Sequence, residues 1–122
     1  MLKLSDIKKI AVLGAGTMGP GIAQSYAMGG YEVAVWTRSE STREKARSAL
    51  RAQLNTFAEE GEIKAGDVEA IYNRVSFVST VEEAVEGAQF VQETIVENRD
   101  AKVSLYQQLA NCIGPEVILA SN

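Results

Sequence analysis

The sequence predicts an α/β fold, a doubly wound parallel sheet, from three observations. Residues 10–19 read IAVLGAGTMG, an apolar run that breaks into glycines where helical periodicity begins. Further short strand-like segments recur at 31–36, 75–78, 90–96 and 117–120. Amphipathic stretches with helix start and stop signals fill the intervals. Strands alternating with helices in this way build a parallel sheet covered on both faces, with 3-2-1-4-5 as the expected strand order.

The elements follow in order. Residues 10–13 form the first strand, and Ile22, Ala23, Tyr26 and Ala27 then fall on one helical face. Pro20 stands in the first helical turn, where its missing amide hydrogen is tolerated. Gly29 and Gly30 stop that helix before the second strand at 31–36. Ser41 with Glu44 predicts a capping box opening a long helix, whose buried stripe is Ala46, Leu50, Leu54, Phe57 and Ala58. Gly61 ends it, 62–66 is a turn, 67–74 a short helix and 75–78 the third strand. Thr80 with Glu83 is a second capping box on a helix closed by Gly87. The fourth strand is predicted at 90–96, followed by a helix capped by Asn98 that turns Ala101, Leu105, Leu109 and Cys112 inward. Gly114 and Pro115 stop it before a fifth strand at 117–120.

The chemistry sits in the first turn. Gly14 must turn sharply off the strand, Gly16 must let the backbone approach a pyrophosphate, and Gly19 must let the helix pack closely. The helix start then offers free amides and the positive end of its dipole to the anion. Gly14, Ala15, Gly16, Thr17, Met18 and Gly19 are therefore the candidate cradle of NAD or NADP in a Rossmann arrangement. A Walker-type loop would need Lys followed by Ser or Thr, and Pro20 follows Gly19 instead. In a sheet of this order, ligands lie at the carboxyl ends of the strands, which directs attention to 14–19, 37–39, 79–80 and 95–98. Thr37 stands 18 residues beyond Gly19, close to where an NAD-specific fold carries an acidic residue for the ribose hydroxyls. A neutral hydroxyl followed by Arg38 and Ser39 suits a 2′-phosphate, because a guanidinium binds it bidentately and no carboxylate repels it. NADP tolerance or preference is the expectation. The alternative makes Arg38 a solvated cation, with NAD held through backbone contacts.

Composition excludes several classes. The 122 residues, 46% hydrophobic, suit one domain able to bury a core. Twelve basic against 16 acidic residues give a net charge of −4, and no basic cluster is interleaved with aromatics, so no nucleic-acid partner is expected. No apolar run approaches the ~18 residues needed to span a bilayer, so no membrane partner is expected and the location expected is cytoplasmic. Lys8 and Lys9 before the first strand imitate a signal peptide only faintly. The single Cys112 excludes an intrachain disulfide, and no metal-ligand cluster is visible. The chain has no histidine. Oxidising a hydroxyl by hydride transfer needs a group to take the proton, usually an imidazole, so no catalytic residue is assigned.

The run GAGTMGPGIAQ at 14–24, VQETIVENRDAK at 91–102 and VILASN at 117–122 resemble the N-terminal NAD(P)-binding domain of the 3-hydroxyacyl-CoA dehydrogenase family, in particular its 3-hydroxybutyryl-CoA type. The specific part is Glu93, Glu97 and Lys102 in their spacing, together with Ser121 and Asn122. The resemblance implies an oxidoreductase of fatty acid metabolism interconverting 3-hydroxyacyl-CoA and 3-oxoacyl-CoA, with Glu97 and Lys102 at the nicotinamide end of the cofactor. It also implies a catalytic His-Glu pair and a helical, dimerising C-terminal domain beyond Asn122. Residues 1–122 are then the dinucleotide-binding domain alone, inactive by itself, and the parent a homo-oligomer that meets its acyl-CoA through the other domain. Three departures stand out: Thr37 where relatives mostly have Asp, Glu59 and Glu60 where a Lys often meets coenzyme A, and Gln89 in place of a frequent Asp. An NADP-dependent 3-hydroxyacid dehydrogenase fragment and a non-catalytic dinucleotide-binding module remain open as alternatives.

Overall fold

A computed structural model describes residues 7–14, 19–37, 39–94, 99–114 and 117–121. Its five strands are β1 (Lys9–Leu13), β2 (Glu32–Trp36), β3 (Val75–Val78), β4 (Phe90–Glu93) and β5 (Ile118–Ser121). They form one parallel sheet in the order β3-β2-β1-β4-β5, as expected from the sequence. The helices between them are α1 (Gly19–Met28), α2 (Glu40–Glu59), α3 (Val68–Asn73), α4 (Val81–Val85) and α5 (Arg99–Cys112), and a 3-10 turn at Ala65–Asp67 leads into α3.

Alternation along the strands divides the core in two. Ile10, Val12, Val33 and Val35 point to the face covered by α1, α2 and α3, where Ala23, Ala27, Ala46, Leu50, Leu54, Val68 and Ile71 meet them. Ala11, Leu13, Ala34 and Val91 point the other way, onto Val81, Ala84 and Val85 of α4 and Leu105 and Leu109 of α5. Central strands buried on both faces read as continuous apolar runs, which is why IAVL and VAV lack polar alternation. Full burial of a leucine such as Leu50 or Leu54 contributes roughly 1.5–3 kcal/mol.

The ends of the elements explain their lengths. Gly30, at φ +98°, closes α1: its amide donates to the Ala27 carbonyl and the Tyr31 amide to Tyr26, both at 3.1 Å. The Arg74 guanidinium adds a bond to the same Ala27 carbonyl at 2.8 Å. The Gln89 side chain, standing in place of Asp, accepts the amides of Lys8 and Lys9 on its Oε1 at 2.9 and 3.0 Å, fixing the start of β1. Thr80 caps α4 as expected, accepting the Glu83 amide at 3.1 Å and donating to the Glu83 carboxylate at 3.0 Å.

Two expectations are corrected. The cap of α2 is Ser39, not Ser41: Ser39 is extended (φ −119°, ψ 149°) and its Oγ accepts the Thr42 amide at 3.1 Å, while Ser41 already lies within the helix. Glu44 forms an ion pair with Arg47 on the surface rather than reaching back to a cap. Cys112 is exposed rather than inward, because the buried stripe of α5 runs through Leu105 and Leu109 to the half-buried Ile113. β4 is described to Glu93; its predicted extension through Ile95 and Val96, the Asn98 cap and the Ala101 side chain lie outside the described residues.

Candidate functional site

The carboxyl ends of the strands meet in one row. Leu13 is registered with Trp36 on one side and Glu93 on the other, Trp36 with Val78, and Glu93 with Ser121. Strand order reverses between β1 and β4, the place where sheets of this kind take their ligands. Gly14 takes φ +103°, a backbone conformation that residues with a Cβ rarely adopt. That turn carries the chain off β1 toward α1, which starts at Gly19.

Hydrogen bonds link the turns along the row. The Gly14 amide donates to the Trp36 carbonyl at 2.7 Å, tying the β1 turn to β2. Trp36 in turn donates its indole nitrogen to the Ser79 carbonyl at 3.2 Å, reaching the turn after β3. From the other side the Thr94 amide donates to the Leu13 carbonyl at 2.9 Å, and the Thr94 hydroxyl lies 2.8 Å from the Gly14 carbonyl oxygen. A site assembled from four separate turns is thereby held as one edge, and a preformed edge spares a ligand the work of ordering it.

The predicted residues divide as follows. Gly14 ends β1 at the reversal of strand order, and the backbone of α1 starts at Gly19. Thr37 follows β2 directly but is only 2% exposed, and its hydroxyl donates to the Ser39 carbonyl at 2.9 Å, so it shapes the turn from inside. Ser39 is exposed there with its Oγ engaged in capping α2. Ser79 and Thr80 lie at the same edge, and both hydroxyls are turned to Glu83. Ala15, Gly16, Thr17, Met18, Arg38 and Glu97 lie outside the described residues, as does the Lys102 side chain, although Lys102 belongs to α5.

Glu93 ends β4 fully buried, on the α4–α5 face, and its carboxylate accepts a bond from the Tyr106 hydroxyl of α5 at 3.3 Å. On the opposite face Gln92 accepts from the Tyr26 hydroxyl of α1 at 3.3 Å, and burial raises the Tyr26 pKa. Sequence reasoning passed over Thr94. Its only signal was a hydroxyl-bearing β-branched residue where the strand next to the reversal ends. Among the described residues no group of His, Cys, Asp and Glu side chains could hold a metal, and no helix is long and apolar enough to cross a membrane.

In sheets of this order a dinucleotide binds along this edge. The left-handed Gly14 carries the chain sharply off β1, as the first glycine of such a turn must, and the helix whose start would face the diphosphate begins shortly after it, at Gly19.

Comparison with known proteins agrees. The family model described as 3-hydroxyacyl-CoA dehydrogenase, NAD binding domain, matches residues 9–122. A probable 3-hydroxybutyryl-CoA dehydrogenase of Bacillus subtilis is 40% identical over 117 residues, covering 96% of this chain and 40% of the relative. An L-carnitine dehydrogenase of a Pseudomonas species is 30% identical, covering 98% of this chain and 36% of the relative. Among solved structures, the (S)-3-hydroxybutyryl-CoA dehydrogenase of Ralstonia eutropha superposes with a TM-score of 0.88 at 28% identity, over 95% of this chain and 41% of that one. The chain thus spans 36–41% of the length of these relatives. With the glycine turn, the strand order and the matched residues in agreement, the chain belongs to the family of NAD binding domains of 3-hydroxyacyl-CoA dehydrogenases.

Proposed function

We propose that the chain is the cofactor-binding half of a dehydrogenase that interconverts 3-hydroxyacyl-CoA, in the first place 3-hydroxybutyryl-CoA, and the 3-oxoacyl-CoA. The observation that carries this reading is the Gly14 turn at the reversal of strand order, bonded on either side to β2 and β4. The Bacillus subtilis relative supports the acyl chain length.

A nicotinamide dinucleotide bound at this edge supplies the hydride acceptor or donor. The chain's own residues bind and orient it. The glycine turn at 14–19 and the start of α1 hold the diphosphate, residues 37–39 border the adenosine ribose, and Glu97 and Lys102 hold ribose hydroxyls at the nicotinamide end by charge-assisted hydrogen bonds. With no histidine in the chain, the base that takes the hydroxyl proton comes from residues outside this sequence, as do the acyl-CoA pocket and the contacts of a homo-oligomeric, cytoplasmic parent. Titration of the purified chain with NADH, paired with an acetoacetyl-CoA reduction assay, tests the division of labour. Saturable binding without turnover is expected; turnover by the chain alone would remove the need for an outside base.

A second reading, a dehydrogenase of free 3-hydroxyacids, draws on one observation. Glu59 and Glu60 are exposed at the end of α2, where the resemblance implies a lysine that meets coenzyme A. Paired carboxylates repel a phosphorylated tail. Comparing 3-hydroxybutyryl-CoA with 3-hydroxybutyrate and carnitine as substrates of the complete protein separates the two, since only one class should be turned over efficiently.

A further inference from the structure

We propose that Thr94 is a positioning residue for the diphosphate cradle, its hydroxyl fixing the direction in which the glycine turn leaves β1. The inference rests on the proposed function, because it concerns how that cradle is held open.

Thr94 stands immediately after β4, and its Oγ lies 2.8 Å from the Gly14 carbonyl oxygen and 3.1 Å from that of Leu13. A hydroxyl has one proton to donate. The Leu13 carbonyl already accepts the Thr94 amide at 2.9 Å, so the shorter contact, to Gly14, is where the hydroxyl proton does most. The Gly14 amide is held at 2.7 Å by the Trp36 carbonyl of β2. One residue is thus gripped at its nitrogen from β2 and at its oxygen from the end of β4, on either side of the reversal.

The consequence follows from covalent geometry. A peptide unit is planar and trans, so a carbonyl held in one direction sends the amide that follows it in the opposite direction. Gly14 at φ +103° lies where a glycine has wide freedom, and without an anchor on its oxygen that unit could rotate at little expense. Anchoring it to Thr94 fixes the exit of the glycine turn and couples that turn to the one that begins the second mononucleotide half. A strand staple alone would need only the Thr94 amide on Leu13; the hydroxyl is what extends the grip to the glycine.

Thr94→Val removes the hydroxyl while keeping the β-branched shape, and Thr94→Ser keeps the hydroxyl. Each is titrated with NADH and with ADP-ribose, which has the diphosphate and lacks nicotinamide, and its thermal midpoint is measured. The valine variant should bind both ligands about five- to tenfold more weakly, while the serine variant stays within about twofold of the parent. A valine variant with a lower midpoint and unchanged affinity for both ligands would make Thr94 a staple only and overturn the proposal. Weakened NADH binding with unchanged ADP-ribose binding would move its role to the nicotinamide half, which also overturns it. If the valine variant does not fold, Thr94→Ala compared with Thr94→Ser carries the same two readouts. Failure of the parent to bind NADH would count against the proposed function instead, so the two failures are distinguishable.

Discussion

Replacing Gly14 by alanine tests the turn through both stability and binding. The alanine can be accommodated in two ways. It can keep φ near +103°, where a residue with a Cβ is strained by on the order of 1–3 kcal/mol. Otherwise the turn relaxes to negative φ and loses the amide bond to Trp36 at 2.7 Å and the carbonyl bond from Thr94 at 2.8 Å, each contributing about 1 kcal/mol net. The protein takes the cheaper route, so the loss is about 1–2 kcal/mol. For a domain of this size that lowers the thermal midpoint by roughly 4–8 °C. The two routes differ in function: the strained turn preserves the cradle, and the relaxed turn misdirects it. NADH titration and thermal melts of Gly14→Ala, read together, should give the lower midpoint with affinity reduced about tenfold or more by the relaxed route. An unchanged midpoint together with unchanged affinity would mean that no left-handed glycine is required here, and the derivation of the site from this turn would be wrong.

Three further outcomes are expected. Arg38→Ala should raise the NADPH dissociation constant relative to that of NADH by about tenfold if the guanidinium binds a 2′-phosphate, and an unchanged ratio removes it from cofactor selection. Leu54→Ala, which empties a fully buried position on α2 facing the sheet, should cost about 2–5 kcal/mol in denaturant unfolding; a loss below about 1 kcal/mol would mean that α2 is not packed as described. The Arg51 guanidinium bonded to Glu69 lowers the pKa of that carboxyl. Because the folded value lies below the unfolded one, this pairing stabilises the fold above the ordinary carboxylate pKa and its contribution is lost as pH falls through the folded value. In an NMR pH titration Glu69 should therefore titrate below the usual glutamate range and move up in Arg51→Met; no upward movement would show that the pair does not form in solution.

The architecture was legible in the sequence because central parallel strands leave little choice of residue. IAVL and VAV are apolar on both sides, whereas the edge strand at 75–78 exposes Ser76. The order β3-β2-β1-β4-β5 followed from the alternation of strand and helix around a glycine turn. Two local features were less legible. The Ser-x-x-Glu pattern at Ser41 and the true cap at Ser39 compete within three residues, and which serine takes the extended backbone is decided by how β2 ends, through the Thr37 hydroxyl on the Ser39 carbonyl. Cys112 continues the helical period of Leu105 and Leu109, yet it is exposed and Ile113 takes the contact. In the site, Gly14 announced itself through its motif. Thr94 did not, because its role depends on β4 lying beside β1, a neighbour 80 residues away that no local pattern encodes.

The most direct test of the central claim, that the carboxyl edge of β1, β2 and β4 holds a nicotinamide dinucleotide, is a backbone amide NMR titration of the chain with NADH. Shifts should concentrate at residues 14–19, 37–39 and 94–98 and saturate together. Shifts gathered at the opposite end of the sheet, around Met28, Lys64 and Arg74, or no saturable shifts at all, would contradict it.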